Sequence, residues 1–518
     1  MQPQKPKGVV LLGLDGATWS LLSRLERDSR IPTIKRLKSR GAWGRLRSTD
    51  PAITGAAWLA IATGLNPGKT GVIDFFRRDR ADSLSLRPVS AVDYRGKAFW
   101  DLASIEELRY GVMFYPMLYP PYPLQGGFIV SGGIGVPSDE VLSQPPEVRD
   151  QLLGLLPSGF RLVVEPRSRI YSDLGRFIED CAIHIKGLGR ISRWLAARLG
   201  DIDGLAYVVS VTDWIQHRAW HVIADHPLSS KLGEREYRGR VEELYTMLDE
   251  EVICPVVEAA EAEEKLIMMV SDHGFQAHYG VFGLARVLYK HGLLHVHTVR
   301  LLRYRLLSMV KGFLRRIGVA EKLRRRVPGG VRKIARTRLE DVIDYSKSDV
   351  YLLAHSNLFG AIYFKRKDGE LEEAVRRAII EEAEKHGIKV EVRRREELYS
   401  GPLLELLPDL IVIANEYATL VANTFNYPIY KQGVLDKQYT GAHHRDGILL
   451  IYGPGVKKAE GINASIYSVA PTVLYAHGLP IPDDVDEPPL KTLIDLGEPR
   501  YVKRIAYRIR KLRRTRHR

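Results

Sequence analysis

Apolar residues in this chain fall into two alternating patterns. Nearly unbroken apolar runs of five or six residues stand at Val9–Leu14, Ala206–Val211, Leu266–Val270 and Ile448–Tyr452. Runs without polar alternation read as strands covered on both faces, as in parallel sheets. Between them, apolar residues recur at helical spacing over Ser20–Arg27, Ile34–Gly41, Glu236–Glu251 and Phe282–His291. This alternation predicts an α/β fold: a doubly wound, mostly parallel sheet with helices on both faces.

Past about residue 290 the pattern changes. Residues 292–340 read as a basic helical excursion broken at Pro328-Gly-Gly330. A strand at Phe359–Lys365, a helix at Leu371–His386 and a strand at Lys389–Arg393 then suggest a small α+β insertion. Core-like sequence resumes at Pro408-Asp-Leu-Ile-Val-Ile413. The expected division is a core of 1–291 and 405–498, an insertion of 292–404, and a basic tail of 499–518. The longest uncharged stretch, Tyr110–Ser138, holds five prolines and six glycines, which argues against a membrane helix and for a loop beside the substrate.

Charge sharpens this division. The net charge is +15, yet Arg300–Arg336 and Arg500–Arg518 together carry +22, so the rest is net acidic by seven. Such runs form solvated faces or tails. With interspersed aliphatics, as in Leu301-Leu-Arg-Tyr-Arg-Leu-Leu307, they also suit peripheral contact with an anionic membrane or nucleic acid. Cys181 and Cys254 are too few for a disulfide framework. Met1–Lys7 is polar with no export-signal pattern, so the expected location is cytoplasmic.

Five islands carry candidate chemistry: Leu14-Asp15-Gly16, Thr54 within Pro51-Ala-Ile-Thr-Gly55, Asp213-x-x-x-His217, Asp272-His273-Gly274, and Gly441-Ala-His443. The three Asp-bearing islands follow predicted strands, and ligands of open α/β sheets gather at strand carboxyl ends. Three carboxylates and three imidazoles meeting there would hold two divalent cations, with a hydroxyl nucleophile between them. Asp213 and His217 sit one helical turn apart and can face one ion. His443 and His444 are equivalent on chemistry alone. Gly64-Leu-Asn-Pro-Gly-Lys69-Thr70 imitates a phosphate-binding loop but is one residue short, so Lys69 reads as an exposed or substrate-rim charge.

In this order the islands resemble the alkaline phosphatase superfamily, and within it the type I phosphodiesterase/nucleotide pyrophosphatase family in the form common in archaea and bacteria. Thr63-Gly-Leu-Asn-Pro67, Tyr119-Pro-Pro121, Pro408-Asp409-Leu-Ile-Val and Ala470-Pro-Thr-Val-Leu474 extend the likeness over nearly the whole chain. The resemblance implies a hydrolase of phosphate esters or anhydrides working through a phosphothreonine on Thr54. It implies one metal on Asp213, His217 and His443 and another on Asp15, Asp272 and His273, with Thr54 adjacent to or bridging them. Flanking Gly441 and Gly447 select His443 over His444, and His221 has no ligand role in the family. Nitrogen and carboxylate donors suit zinc, and manganese is admissible.

Two departures matter. Family diesterases read Thr-x-Pro-Asn at the nucleophile, where this chain has Thr54-Gly-Ala-Ala57. They also place an Asn, whose amide donates a hydrogen bond to a phosphoryl oxygen, after Gly-x-x-Asp, where Gly71-Val-Ile-Asp74 is followed by Phe75. His444 and Arg445 are then candidate donors. The alternatives are a phosphomonoesterase or a phosphonate or sulfate ester hydrolase of the same superfamily, or a membrane- or nucleic-acid-binding protein with an inert inherited site. A modified-residue sulfatase would need Cys or Ser in a Cys/Ser-x-Pro-x-Arg sequence, which Pro51–Trp58 lacks.

Overall fold

The computed structural model describes residues 5–136, 140–303, 306 and 342–516. A nine-stranded sheet runs in the spatial order Ala459–Ser465, Ala42–Arg47, Asp446–Tyr452, Leu266–Val270, Val9–Leu14, Gly204–Val209, Tyr110–Met113, Phe128–Ser131 and Leu142–Gln144. Its five central members, from Leu266–Val270 to Phe128–Ser131, are mutually parallel. Every residue of Val9–Leu14, Gly204–Val209 and Leu266–Val270 is buried, which accounts for their unbroken apolar runs. Two separate apolar clusters pack on the two faces, one around Leu12, Tyr207 and Met269 and the other around Leu11, Val208 and Met268.

Register places the chemistry. Leu14 lies opposite Val209, and Gly13 opposite Val270, so the three strands end at one level. The loops carrying Asp15 and Asp272 and the helix Val211–Ile223 therefore leave the sheet side by side. The strand expected over Ala206–Val211 occupies Gly204–Val209, because Val211 already begins that helix.

Tyr110–Ser138 differs from the loop expected. Tyr110–Met113 and Phe128–Ser131 are buried parallel strands, and Tyr110, Tyr115 and Tyr122 pack into the core. Prolines and glycines occupy the connections, while each strand is only four residues long. Of this stretch, Ile134 reaches the cavity described below.

A second, seven-stranded sheet is built from Val350–Leu352, Gly360–Phe364, Leu410–Ala414, Thr419–Val421, Gly280–Phe282 and Tyr430–Gln432, with Val390–Arg394 also paired to Leu410–Ala414. Three of its strands lie within the segment 292–404, one precedes it and three follow it. Leu410–Ala414, expected to resume the core, pairs here instead, and Phe282 closes the strand Gly280–Phe282, so the helix expected over Phe282–His291 begins at Leu284. A buried apolar strand has the same local pattern in either sheet, so sequence does not say which sheet it joins. The helix Gly369–Glu384, capped by Asp368, packs on this sheet through Val375, Ile379 and Ala383.

Most of the Arg300–Arg336 run lies outside the described residues. The C-terminal run forms the helix Ile505–Arg516, anchored by buried Tyr507 and by Arg504 on Asp484, with Ile505 and Ile509 exposed. Among the described residues no helix is long and apolar enough to cross a membrane.

Candidate metal centre

Asp15 ends the first strand, and the chain turns at once through Gly16, whose φ of +67° is left-handed. That turn lets the Gly16 N–H donate to Asp272 Oδ1 at 3.1 Å, tying two of the islands together. Asp213 and His217 lie one turn apart on Val211–Ile223, where Thr212 Oγ1 donates to the Asp15 carbonyl and Gln216 Nε2 to the Gly16 carbonyl. His443 sits on the short strand Gly441–His444, directly opposite Phe275 of Gly274–Ala277. Thr54 is the first residue of a helix, Thr54–Thr63, whose ten residues are all buried. Its neighbour Gly55 permits that docking: a Cβ there would lie 2.5 Å from the Asp74 carbonyl oxygen.

The six side chains and Thr54 meet in one buried cluster. His217 Nε2 is 3.3 Å from Asp213 Oδ1 and 3.2 Å from His443 Nε2, and His443 Nε2 is 3.7 Å from Asp213 Oδ1. His273 Nε2 lies 3.3 Å from Asp272 Oδ2, 3.7 Å from Asp15 Oδ1 and 4.0 Å from Asp213 Oδ1. His273 belongs to two donor groups, one of Asp15, Asp272 and His273 and the other of Asp213, His273 and His443, with His217 adjoining the second through Asp213 and His443. Thr54 Oγ1 is 3.3 Å from His273 Nε2.

These donors fit divalent cations. Each histidine has its Nδ1 on a backbone carbonyl: His217 on Gly441 at 2.9 Å, His273 on Gly274 at 3.0 Å, His443 on Ala52 at 2.8 Å. A proton held on Nδ1 leaves each Nε2 lone pair turned to the centre, the tautomer a metal ligand needs. Among the described residues, both oxygens of Asp15, Oδ1 of Asp213 and Oδ2 of Asp272 are buried without a hydrogen-bond partner. Buried carboxylate oxygens left unpaired are costly unless a cation faces them.

Electrostatics agree. Burial, followed by repulsion from Asp272 and Asp213, pushes the Asp15 carboxyl well above the usual carboxylate range, and burial likewise raises Asp272. Burial beside His273 and His217 holds His443 well below the usual imidazole range, hence neutral. The His443 and His273 rings stack face to face with centres 3.5 Å apart.

Several neighbours in sequence are drawn elsewhere. Strand alternation turns His444 away from His443, into a second cavity beside Trp19 and Trp220. Arg445 is taken up by Asp50 at 2.7 Å and Glu391 at 2.8 Å. Neither lines the cavity at Thr54, so neither replaces the missing Asn donor. Lys69 pairs with Asp486 at 2.7 Å, away from that cavity. His221 bonds Thr440 and Glu234, a packing role. Thr63 ends the helix of Thr54 with its hydroxyl on the Leu59 carbonyl.

The cluster opens into a cavity of about 320 Å³. Phe75, Ile134, Leu358 and Leu420 give it apolar wall, and Arg167 and Tyr439 line it too. His355, Ser356 and Asn357 also line it and were not indicated by sequence: they lie in no strand-end motif and arrive from the second sheet.

A mostly parallel, helix-flanked sheet thus carries this donor set at its strand ends. Residues 9–444 match the type I phosphodiesterase / nucleotide pyrophosphatase family, and the chain belongs to it. It is a hydrolase of phosphoester or pyrophosphate bonds, in a metal-dependent family. No curated protein sequence matches. Among solved structures, phosphonoacetate hydrolase from Sinorhizobium meliloti 1021, in complex with phosphonoformate or with phosphonoacetate, is 13% identical. In each case the TM-score is 0.51, over 92% of this chain and 95% of that one. Murine ectonucleotide pyrophosphatase / phosphodiesterase 5 is also 13% identical, with a TM-score of 0.48 over 91% and 95%.

Proposed function

We propose that this hydrolase cleaves phosphodiesters by two successive displacements on Thr54. The observation that carries the reading is the Thr54 hydroxyl, buried 3.3 Å from His273 Nε2 at the junction of two donor groups with unpaired carboxylate oxygens. Asp213, His217 and His443 would hold one divalent ion, and Asp15, Asp272 and His273 the other. When bound, zinc or manganese would supply positive charge favouring the Thr54 alkoxide and the departing oxygen.

Thr54 Oγ1 forms the bond to phosphorus, and the ester oxygen leaves with the bonding pair and takes up a proton. Water then attacks the phosphothreonine, the phosphorus–Oγ1 bond breaks, and Thr54 regains its proton. The helix Thr54–Thr63 presents first-turn N–H groups lacking intrahelical partners beside the transferring group. Phe75, Leu358 and Leu420 exclude water and give a second ester group an apolar surface. Among the described residues Arg167 is the one Lys or Arg in the lining, a modest charge for a dianionic monoester.

On metal-replete enzyme, bis-nitrophenyl phosphate is therefore expected to be cleaved with a kcat/KM at least equal to that of nitrophenyl phosphate. A monoester advantage of about a hundredfold, about 2.7 kcal/mol in transition-state stabilisation, would instead make it a phosphatase. Purified protein is expected to carry close to two equivalents of zinc or manganese. His443→Ala should lose metal and His444→Ala keep it, as elemental analysis by mass spectrometry will read. Metal loss in the His444 variant alone would overturn the ligand assignment.

A further inference from the structure

One wall of the Thr54 cavity comes from the second sheet. His355, Ser356, Asn357 and Leu358 follow the strand Val350–Leu352 and line the cavity together with Thr54, Asp213, His217 and His443. Fully buried Asp74 holds this loop in place. Its Oδ2 accepts the Ser356 N–H at 2.7 Å and lies 3.1 Å from His355 Nδ1, while its Oδ1 accepts the Phe75 N–H at 2.8 Å. His355 Nε2 is 2.7 Å from the Tyr363 hydroxyl. On the far side, the Asn357 carbonyl accepts the Val421 N–H at 2.9 Å, and Asn423 Nδ2 donates to the Ser356 carbonyl at 3.2 Å.

The loop backbone is thus fixed from both sides, but its polar side chains are not satisfied. Among the described residues the Ser356 hydroxyl, a possible donor, and Asn357 Oδ1, an acceptor, are both buried without a hydrogen-bond partner, and the donor of the same amide, Asn357 Nδ2, makes no hydrogen bond either. A rigid backbone presenting unpaired polar groups to a reaction centre is preorganised for a polar ligand, because no protein contact must break on binding. The same Asp74 that anchors this loop precedes Phe75, the position that offers no side-chain donor.

We infer that Asn357, with Ser356 beside it, is a specificity-determining residue that hydrogen-bonds a non-bridging oxygen of the substrate's phosphoryl group. The inference rests on the reading of Thr54 as nucleophile in a phosphodiester hydrolase. The amide donates to the anionic oxygen, and Asp74 fixes the loop relative to the helix of Thr54. The donor function absent at Phe75 is delivered by a distant segment of the chain.

The test uses the full-length, metal-loaded enzyme with bis-nitrophenyl phosphate as substrate and vanadate as competitive inhibitor. Asn357→Ala is expected to lower kcat/KM by about tenfold to a hundredfold, the range for a hydrogen bond to a charged group. It should weaken vanadate inhibition, with metal content and melting temperature unchanged. Asn357→Asp should fall further than Asn357→Ala, because a carboxylate repels the phosphoryl oxygens; a loss of packing alone would affect both alike. Asn357→Ala within twofold of the unaltered enzyme, or Ala and Asp variants equally impaired, overturns the assignment. Failure of the underlying reading is separately visible: Thr54→Ala would then retain turnover, whatever the Asn357 variants do.

Discussion

Thr54→Ala is expected to abolish hydrolysis while leaving the metal content intact. Removing a nucleophile leaves only positioning and electrostatic stabilisation, so the expected loss in kcat is on the order of 10⁴-fold or more. Metal should remain because six other side chains supply the donors, three imidazoles with Nε2 turned inward and three carboxylates with unpaired oxygens. The helix itself should survive. Thr54 is its first residue, preceded by Ile53 as the cap and with no side-chain capping bond, so alanine removes no cap. Thr54→Ser retains the hydroxyl and should keep measurable turnover. Rates on bis-nitrophenyl phosphate, with metal analysis of each variant, decide the matter. Residual activity of the Ala variant within about tenfold of the unaltered enzyme would move the nucleophile elsewhere, and loss of metal would make Thr54 an essential ligand.

Much of this centre was legible because its parts are local. Asp15 and Asp272 each follow an apolar run directly, and Asp213 and His217 share a single helical turn. Parallel strands ending in register then bring such motifs together without further instruction. What escaped depends on contacts between remote segments. Ser356 is tied to Asp74 across 282 positions, and nothing in its neighbourhood of sequence announces that bond. Arg445 looked available beside His444, but its guanidinium is consumed by Asp50 and Glu391.

The second kind of failure is compositional. Tyr110–Ser138 reads as a loop through its prolines and glycines, yet its two four-residue strands sit inside the main sheet. The longest helix described, Leu174–Ala196, was also missed, although Phe177, Cys181, Ile185 and Leu188 follow helical spacing. Gly175, Gly187 and Gly189 lower its intrinsic propensity. Two of them are there for packing: a Cβ on Gly187 would lie 2.4 Å from the Phe160 ring, and one on Gly189 3.0 Å from Glu251. Tertiary contact outweighs local preference, as happens wherever elements pack closely.

Metal removal is expected to lower the melting temperature by several degrees at neutral or mildly alkaline pH, and by progressively less as the solution is acidified. A ligand that binds only the folded state stabilises it by about 4 kcal/mol at a thousandfold excess over Kd. Its dependence on pH follows from which folded-state ligands compete with protons. Asp15 is raised well above the usual carboxylate range by burial and then by repulsion from Asp272 and Asp213, and Asp272 is raised by burial. The metal-free folded protein therefore takes up protons at these carboxyls that the unfolded chain, with a carboxyl pKa near 3.9, has already lost. That uptake stabilises the folded state below its raised pKa relative to higher pH, so metal-free protein loses stability from these groups as pH rises through the interval between the two pKa values. A bound cation displaces the same protons, so the metal-loaded protein does not share that loss. His443 contributes nothing to the gap, since it is held well below its ordinary pKa and already neutral in the folded state. The unfolded chain is common to both measurements and cancels in their difference. The melting-temperature gap between metal-loaded and chelated protein should accordingly widen from about pH 5 to 8, and Asp15→Asn should flatten part of it. A gap constant across that range would mean that Asp15 and Asp272 are ionised without the metal, contrary to their burial beside one another.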